Sequence, residues 1–161
     1  MIEVAHFASS MQNDVLQLIL TIQRDEFGFD ISADDQPDLL DIPGFYQVGA
    51  GNFWVALAER EVVGTIALRD IGNHQGALRK MFVKAAYRGG QYAVAAFLLE
   101  RLVRDANRRG LHEIFLGTTE KFRAAHRFYE KNGFARVTPQ DLPPAFPRMS
   151  LDTRFYRRAL R

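Results

Sequence analysis

The hydrophobic period of this chain changes at Gly89-Gly90, and that change limits the folds open to it. Upstream, residues 53–58 read FWVALA and residues 62–68 read VVGTIAL, with only the polar Glu59, Arg60 and Glu61 between them. Apolar runs of this length joined by so short a turn predict a β-hairpin. Asn73, His74, Gln75 and Gly76 make a second turn into a third strand over 77–83. Downstream, Val94, Phe97, Leu98, Leu102 and Ala106 recur at steps of three and four, which predicts an amphipathic helix over 92–109 stopped by Gly110. Three antiparallel neighbours leading into a strand-loop-helix unit define an α/β fold.

The flanks fill in around that unit. Residues 2–7 alternate as a first strand, and Ser9 or Ser10 can cap a helix carrying Val15, Leu16, Ile19, Leu20 and Gln23 that ends near Phe27-Gly28. Residues 34–40 suggest a short helix, and 42–51, with three Gly and one Pro, an ordered loop. Residues 113–117 read as a buried strand, 121–131 as a helix ended by Asn132-Gly133, and 134–137 as a further strand. Residues 142–147 form a rigid crossing, and 151–156 return as the last strand. With no repeat or linker, 161 residues are expected to form a single domain over 1–161.

Composition removes several functional classes. The chain has no Cys, which excludes disulfides and a thiol nucleophile, and its four His lack metal-ligand spacing, so no metal is expected. No apolar run reaches the roughly 20 residues of a membrane helix, and the first residues lack a secretory leader pattern, so a cytoplasmic location and no membrane partner are expected. A net charge of +2 is too small to argue for nucleic acid. The basic end, Arg154 to Arg161, reads as a strand with solvated arginines.

The chemistry concentrates in LRKMFVKAAYRGGQYAVAAFLLERL, residues 78–102. A strand delivers the chain to Arg88, Gly89 and Gly90, and a helix begins at once. Glycines let main-chain N–H groups approach a ligand, and a helix N-terminus adds unpaired donors and partial positive charge. Arg88 adds a guanidinium fork suited to phosphate. The unit fits neither the Walker loop nor the Gly-x-Gly-x-x-Gly fingerprint. A second segment, LGTTEKFRAAHRFYEKNGF, residues 116–134, carries a strand into a helix ending in Phe-Tyr-Glu-Lys-x-Gly-Phe.

Taken together, the strand, the Arg-Gly-Gly turn and the two helices resemble the GNAT superfamily of N-acetyltransferases. That resemblance implies a mixed, mostly antiparallel twisted sheet flanked by helices, with a splayed central strand pair. It implies acetyl-CoA as cosubstrate and direct transfer of the acetyl group to a primary amine of a small molecule or protein. The main chain of Met81, Phe82 and Val83 would pair with pantetheine amides, and Arg88, Gly89, Gly90, Gln91, Tyr92 and Ala93 would hold the pyrophosphate. Tyr129 would assist the departing thiolate. Two positions depart from the family pattern. Gln91 stands where a Gly is usual, so its side chain either crowds the phosphates or points away. Phe122 stands seven residues before Tyr129, where an Asn is often found. These departures keep open an alternative, a non-catalytic acyl-CoA-binding or regulatory module.

Other roles are less determined. Glu26, Asp25, Asp70 and His74 are candidates for a general base, though such carboxylates are more often solvated surface groups, and a water chain can suffice; no base is assigned. His126 either shares a face with Tyr129, touches phosphate or, the commoner case for a lone helix His, is a solvated or core-edge residue, and Lys121 and Arg123 either meet the 3′-phosphate or are surface charges. The acids of residues 23–46, among them Asp30, Asp34, Asp38 and Asp41, either attract a cationic acceptor or keep a loop solvated. A homodimer through the C-terminal end of the sheet is compatible with the reading.

Overall fold

The computed structural model describes residues 1–161. The apolar runs become seven strands: β1 Ile2–His6, β2 Asn52–Ala58, β3 Glu61–Gly72, β4 Gln75–Val83, β5 Glu113–Thr118, β6 Ala135–Val137 and β7 Arg154–Ala159. They join one sheet in the order β1-β2-β3-β4-β5-β7-β6. Every adjacent pair is antiparallel except β4 and β5, which run parallel. The helices are α1 Gln12–Leu20, α2 Pro37–Leu40, α3 Ile42–Phe45, α4 Val94–Arg108 and α5 Arg123–Lys131.

The two hairpins are tighter than the sequence suggests. Glu59 and Arg60, and then Asn73 and His74, take positive φ as consecutive pairs. That is the backbone of a two-residue turn whose twist matches the strands it joins. Gln75 and Gly76 therefore belong to β4 and not to the turn.

Four other expectations change. Neither Ser9 nor Ser10 caps a helix: Ser9–Met11 is itself a 3-10 turn and α1 begins at Gln12 without a side-chain cap. Beyond α1 the chain widens into a π-helical stretch, Thr21–Glu26, before Phe27. The loop over 42–51 opens with a helical turn, α3, because the Asp41 carboxylate accepts a hydrogen bond from Gly44 N–H and Pro43 occupies the first turn. The final strand lies three residues further on than its hydrophobic pattern predicts, since Asp152 first accepts from the Met149 N–H and holds a turn. Consequently β7 slots between β5 and β6, and its arginines are not simply solvated. Arg157 pairs with Glu113, and Arg158 donates to the Asn132 carbonyl.

Two apolar layers cover the sheet. On one face α4 lays Leu98, Leu102 and Ala106, all fully buried, against β2 and β3, and α5 adds Tyr129. On the other face α1 and α3 cover Phe53, Val55 and Ala67 with Val15, Ile19 and Ile42. Each buried Leu or Ile contributes about 1.5–3 kcal/mol relative to exposure. A Cβ at Gly64 would lie a tight 3.0 Å from a Val94 methyl and 3.1 Å from a Leu98 methyl, so the side chains of α4 close onto the β3 backbone there. Leu98→Ala should therefore cost about 2–5 kcal/mol in urea unfolding. A loss below about 0.5 kcal/mol, the range of surface substitutions, would contradict this packing.

Candidate active site

The site begins where two parallel strands part. β4 and β5 pair only at Gln75–Glu113, Gly76–Ile114 and Ala77–Phe115. Beyond Ala77, β4 stays with β3, while Leu116 to Thr118 of β5 pair with β7. A bulge drives the separation. Thr65 faces Phe82 and Ala67 faces Arg79, so β4 spends two residues where β3 spends one. Lys80 sits in the bulge at φ +53, and the Thr65 hydroxyl donates to its displaced carbonyl at 2.7 Å.

Strand alternation then decides which main-chain groups face the gap. Phe82 pairs with Thr65, and Lys84 N–H donates to the Val63 carbonyl, so Phe82 and Lys84 point their polar groups toward β3. Met81 and Val83 point theirs into the opening, where Arg88 Nε already donates to the Val83 carbonyl at 2.8 Å. Of the three residues expected to offer main-chain groups, Phe82 instead spends its own in the sheet. Its side chain lines the site.

A cavity of about 700 Å³ passes through the splay. Its walls include Met81, Phe82 and Val83 of β4, the turn at Tyr87 to Gly90, the first turn of α4, and Phe128 and Tyr129 of α5. Ile22 and Phe27 reach it from the far side of the sheet. Gly89 takes φ +105 and Ala93 φ +53, which fold the chain sharply into α4. Tyr92 and Ala93 N–H both donate to the Gly89 carbonyl at 3.3 Å, closing the turn on itself. The N–H groups of Gly90, Gln91 and Val94 to Ala96 have no acceptor within the chain. Gln91 is exposed and its side chain is no part of the wall, so it points away.

The charges at the wall are of one sign. Arg88, Lys121, Arg123 and Lys131 line it, and no carboxylate does. Arg88 is held by Glu26 in a bidentate pair, with Nη2 to Oε1 at 2.8 Å. Glu26 is thus a partner of the predicted phosphate-binding arginine, and it stands outside the cavity wall. Asp70 binds the Ala50 and Gly72 amides, His74 stacks on His112 at 4.5 Å, and Asp25 is exposed, so none of these reaches the cavity.

Tyr129 is 5% exposed and packs against Phe134 and Tyr156 at ring distances of 5.6 and 6.0 Å. Its hydroxyl takes no hydrogen bond from the protein, and burial, followed by the neighbouring Tyr156 phenol, pushes its pKa up. His126 does not join it. The buried ring of His126 links the Thr119 carbonyl (2.8 Å) to Arg154 (3.1 Å), a structural bridge between the start of α5 and β7. Phe122 sits at the end of the cavity in an aromatic group with Phe27, Phe29 and Phe82, at centroid distances of 4.6, 5.8 and 6.4 Å.

Sequence reasoning missed a second cluster on the α1 side of the splay. There Arg79 and Lys80 meet Asp38, whose Oδ2 accepts from Tyr46 at 2.5 Å. Its signal was present: two adjacent cations interrupt an otherwise apolar strand. Among the acids of 23–46, Asp38 alone is buried, and Asp25, Asp30, Asp34 and Asp41 are exposed.

Comparison with known proteins agrees with this geometry. The model of the acetyltransferase (GNAT) family matches residues 16–134. An acetyltransferase of the GNAT family from Staphylococcus aureus Mu50 superposes with a TM-score of 0.95 at 37% identity, each chain covered in full. The N-acetylaspartate synthetase of Danio rerio is 33% identical over 124 residues, 74% of this chain, and the chain spans only 43% of that protein's length. A PaiA N-acetyltransferase from Thermoplasma acidophilum, solved with coenzyme A, shares the fold with a TM-score of 0.73 at 14% identity. The chain belongs to the GNAT acetyltransferase family.

Proposed function

We propose that this domain, residues 1–161, binds acetyl-CoA and passes the acetyl group directly to a primary amine of a small molecule or protein. The observation that carries the reading is the single cavity joining an unpaired strand edge, an amide-rich turn and a buried phenol. A polyanionic carrier suits a wall with four cations and no acid. Its pyrophosphate would meet the free amides of Gly90, Gln91 and the start of α4, where the helix dipole favours negative charge. The pantetheine amides would pair with the Met81 and Val83 main chain along the splay. Phe122 would give that arm an aromatic wall in place of an amide contact.

Positioning supplies much of the rate in such a scheme. The amine nitrogen attacks the thioester carbon, the C–S bond breaks, and its electron pair leaves on sulfur. The Tyr129 O–H would hydrogen-bond that sulfur. Because burial raises the phenol pKa while a thiol lies near 8.5, the phenol keeps its proton and stabilises the thiolate by donation. The proton that completes the free thiol comes ultimately from the attacking amine. No carboxylate lines the wall, so the amine arrives neutral, and the proton its nitrogen sheds after attack passes by way of water to the thiolate. The N-acetylaspartate synthetases among its relatives are named for an N-acetylated amino acid, which favours a small-molecule acceptor.

Tyr129→Phe should leave coenzyme A affinity unchanged in calorimetric titration and slow thiol release at least about tenfold. Equal turnover would remove the phenol from the mechanism. The pH profile follows from the sign of the shift. A phenol raised above its usual value of about 10 stays protonated at every lower pH. The value of kcat/KM should therefore climb with pH as the acceptor amine loses its proton, with no descending limb below about pH 10. A descending limb near pH 9 would contradict that assignment. Glu26→Gln frees Arg88 for phosphate and should tighten coenzyme A binding by up to about fivefold, the scale of an exposed ion pair. Weaker binding would show that the pair shapes the site instead of competing for it.

A further inference from the structure

The α1 side of the splay holds two largely buried cations whose nearest carboxylate is Asp38. The Arg79 and Lys80 side chains are 11% and 10% exposed. In a regular strand two consecutive side chains point to opposite faces. The bulge at Lys80 sends both to the same face, where Asp38 Oδ2 lies 3.6 Å from Lys80 Nζ and 3.9 Å from Arg79 Nη2. Those separations are longer than hydrogen bonds. The short bond of that oxygen goes to the Tyr46 hydroxyl.

The other partners are neutral. Lys80 donates to Gln36 Oε1 at 2.6 Å, and Gln36 is fixed by a reciprocal amide pair with Gln23. Arg79 lies over the Phe45 and Tyr46 rings and makes one hydrogen bond, to Met149 Sδ at 3.5 Å. Arg69 covers Phe45 and Arg148 covers Phe155, while Asp152 is the second acid in range of this group. Burial holds the Asp152 carboxyl above the usual range despite those cations, which weakens it further as a counter-ion. Arg79 and Lys80 thus face Asp38 and Asp152, and burial disfavours the charged form of Lys80 as it does that of Asp152.

Such an arrangement is expensive for folding alone, because a buried charge costs free energy unless it is fully paired. An apolar pair at these positions would pack better. The place of the cluster supplies a reason. Lys80 directly precedes Met81, and Gln23 directly follows Ile22, and both Met81 and Ile22 line the cavity. Neither Arg79 nor Lys80 lines the wall itself, so the cluster adjoins the opening through these chain neighbours.

We propose that Arg79 and Lys80 receive a carboxylate of the acceptor, so that the acylated amine belongs to a small carboxylated molecule of the amino-acid kind. The inference rests on the acyl-transfer reading above and names its substrate class. A guanidinium fork accepts a carboxylate through two parallel hydrogen bonds, and the Lys80 ammonium adds a third. A polyamine or a lysine side chain would set a further cation beside two buried ones, which is repulsive. The acids of residues 23–46 therefore do not select a cationic acceptor: the exposed ones face solvent and the buried one serves the cations.

The test uses the wild-type protein with saturating acetyl-CoA and follows thiol release. L-aspartate, L-glutamate and glycine are compared with their carboxamides, and with spermidine and tyramine. At least one carboxylated amine should exceed its carboxamide in kcat/KM by about tenfold or more. Equal use of acid and amide, preference for spermidine or tyramine, or turnover of none of the panel overturns the inference. Arg79→Gln and Lys80→Met should each raise KM for the carboxylated amine at least about tenfold while leaving coenzyme A affinity unchanged. An unchanged KM in both variants also overturns it. Should a variant fail to fold, the comparison of acid with amide on wild type still decides. Calorimetric titration with coenzyme A separates the two levels: binding with indifference to carboxylate defeats this inference alone, and no binding defeats the acyl-transfer reading with it.

Discussion

Three residues of parallel pairing between β4 and β5 hold the centre of the sheet together, and everything functional follows from what happens after them. Each of the parting strands has an antiparallel neighbour on its other edge. β3 keeps β4 by absorbing the bulge at Lys80, and β7 takes Leu116 to Thr118 of β5. Either strand, paired to its end with the other, would close the gap. Main-chain N–H and C=O groups left unpaired at a buried edge are costly, so an open splay is tolerated only beside something that can satisfy them. Here that is an open cavity crossing the sheet.

The same bulge organises both sides of the opening. It turns Met81 and Val83 toward the gap and brings Arg79 and Lys80 to one face. The α4 and α5 side carries Arg88, Lys121, Arg123 and Lys131 without an acid, and the α1 side carries Arg79 and Lys80 around a single buried carboxylate. A nearly neutral chain has thus sorted its charges by position. Cations line the opening, and most acids of residues 23–46 lie on its outer surface. Net charge alone conveys none of this.

What was legible in the sequence is what depends on local chemistry. The FWVALA and VVGTIAL runs give two neighbouring strands, Gly110 and Gly133 stop α4 and α5 at φ +83 and +89, and the Arg-Gly-Gly turn opens α4. The hydrophobic pattern is overridden where a short-range bond from a side chain to the backbone three residues away sets the local fold. The Asp152 carboxylate on the Met149 amide delays β7, and the Asp41 carboxylate on the Gly44 amide winds a segment whose glycines suggest a loop. The site divides in the same way. Gly89 and Gly90 announce themselves, whereas the meeting of Asp38 with Lys80 spans 42 positions and depends on a positive φ that no Lys advertises.

Gln91 and Phe122, the two departures from the family pattern, differ in physical weight. Gln91 costs the site little, since an exposed side chain leaves its own N–H free to donate. Phe122 changes the nature of the wall. Its ring meets Phe27 edge-on at 4.6 Å and approaches Phe82 at 6.4 Å, so the residue before α5 packs on the end of the π-helical stretch and on β4 together. Aromatic pairs of this geometry add about 0.5–1.5 kcal/mol each beyond their buried area. An amide at this position offers directional hydrogen bonding to a ligand, and a phenyl ring offers cohesion between elements that flank the opening. The exchange of Asn for Phe therefore moves stabilisation from the ligand to the frame. It couples the α1 side, where Ile22 and Phe27 sit, to the helix that carries Tyr129.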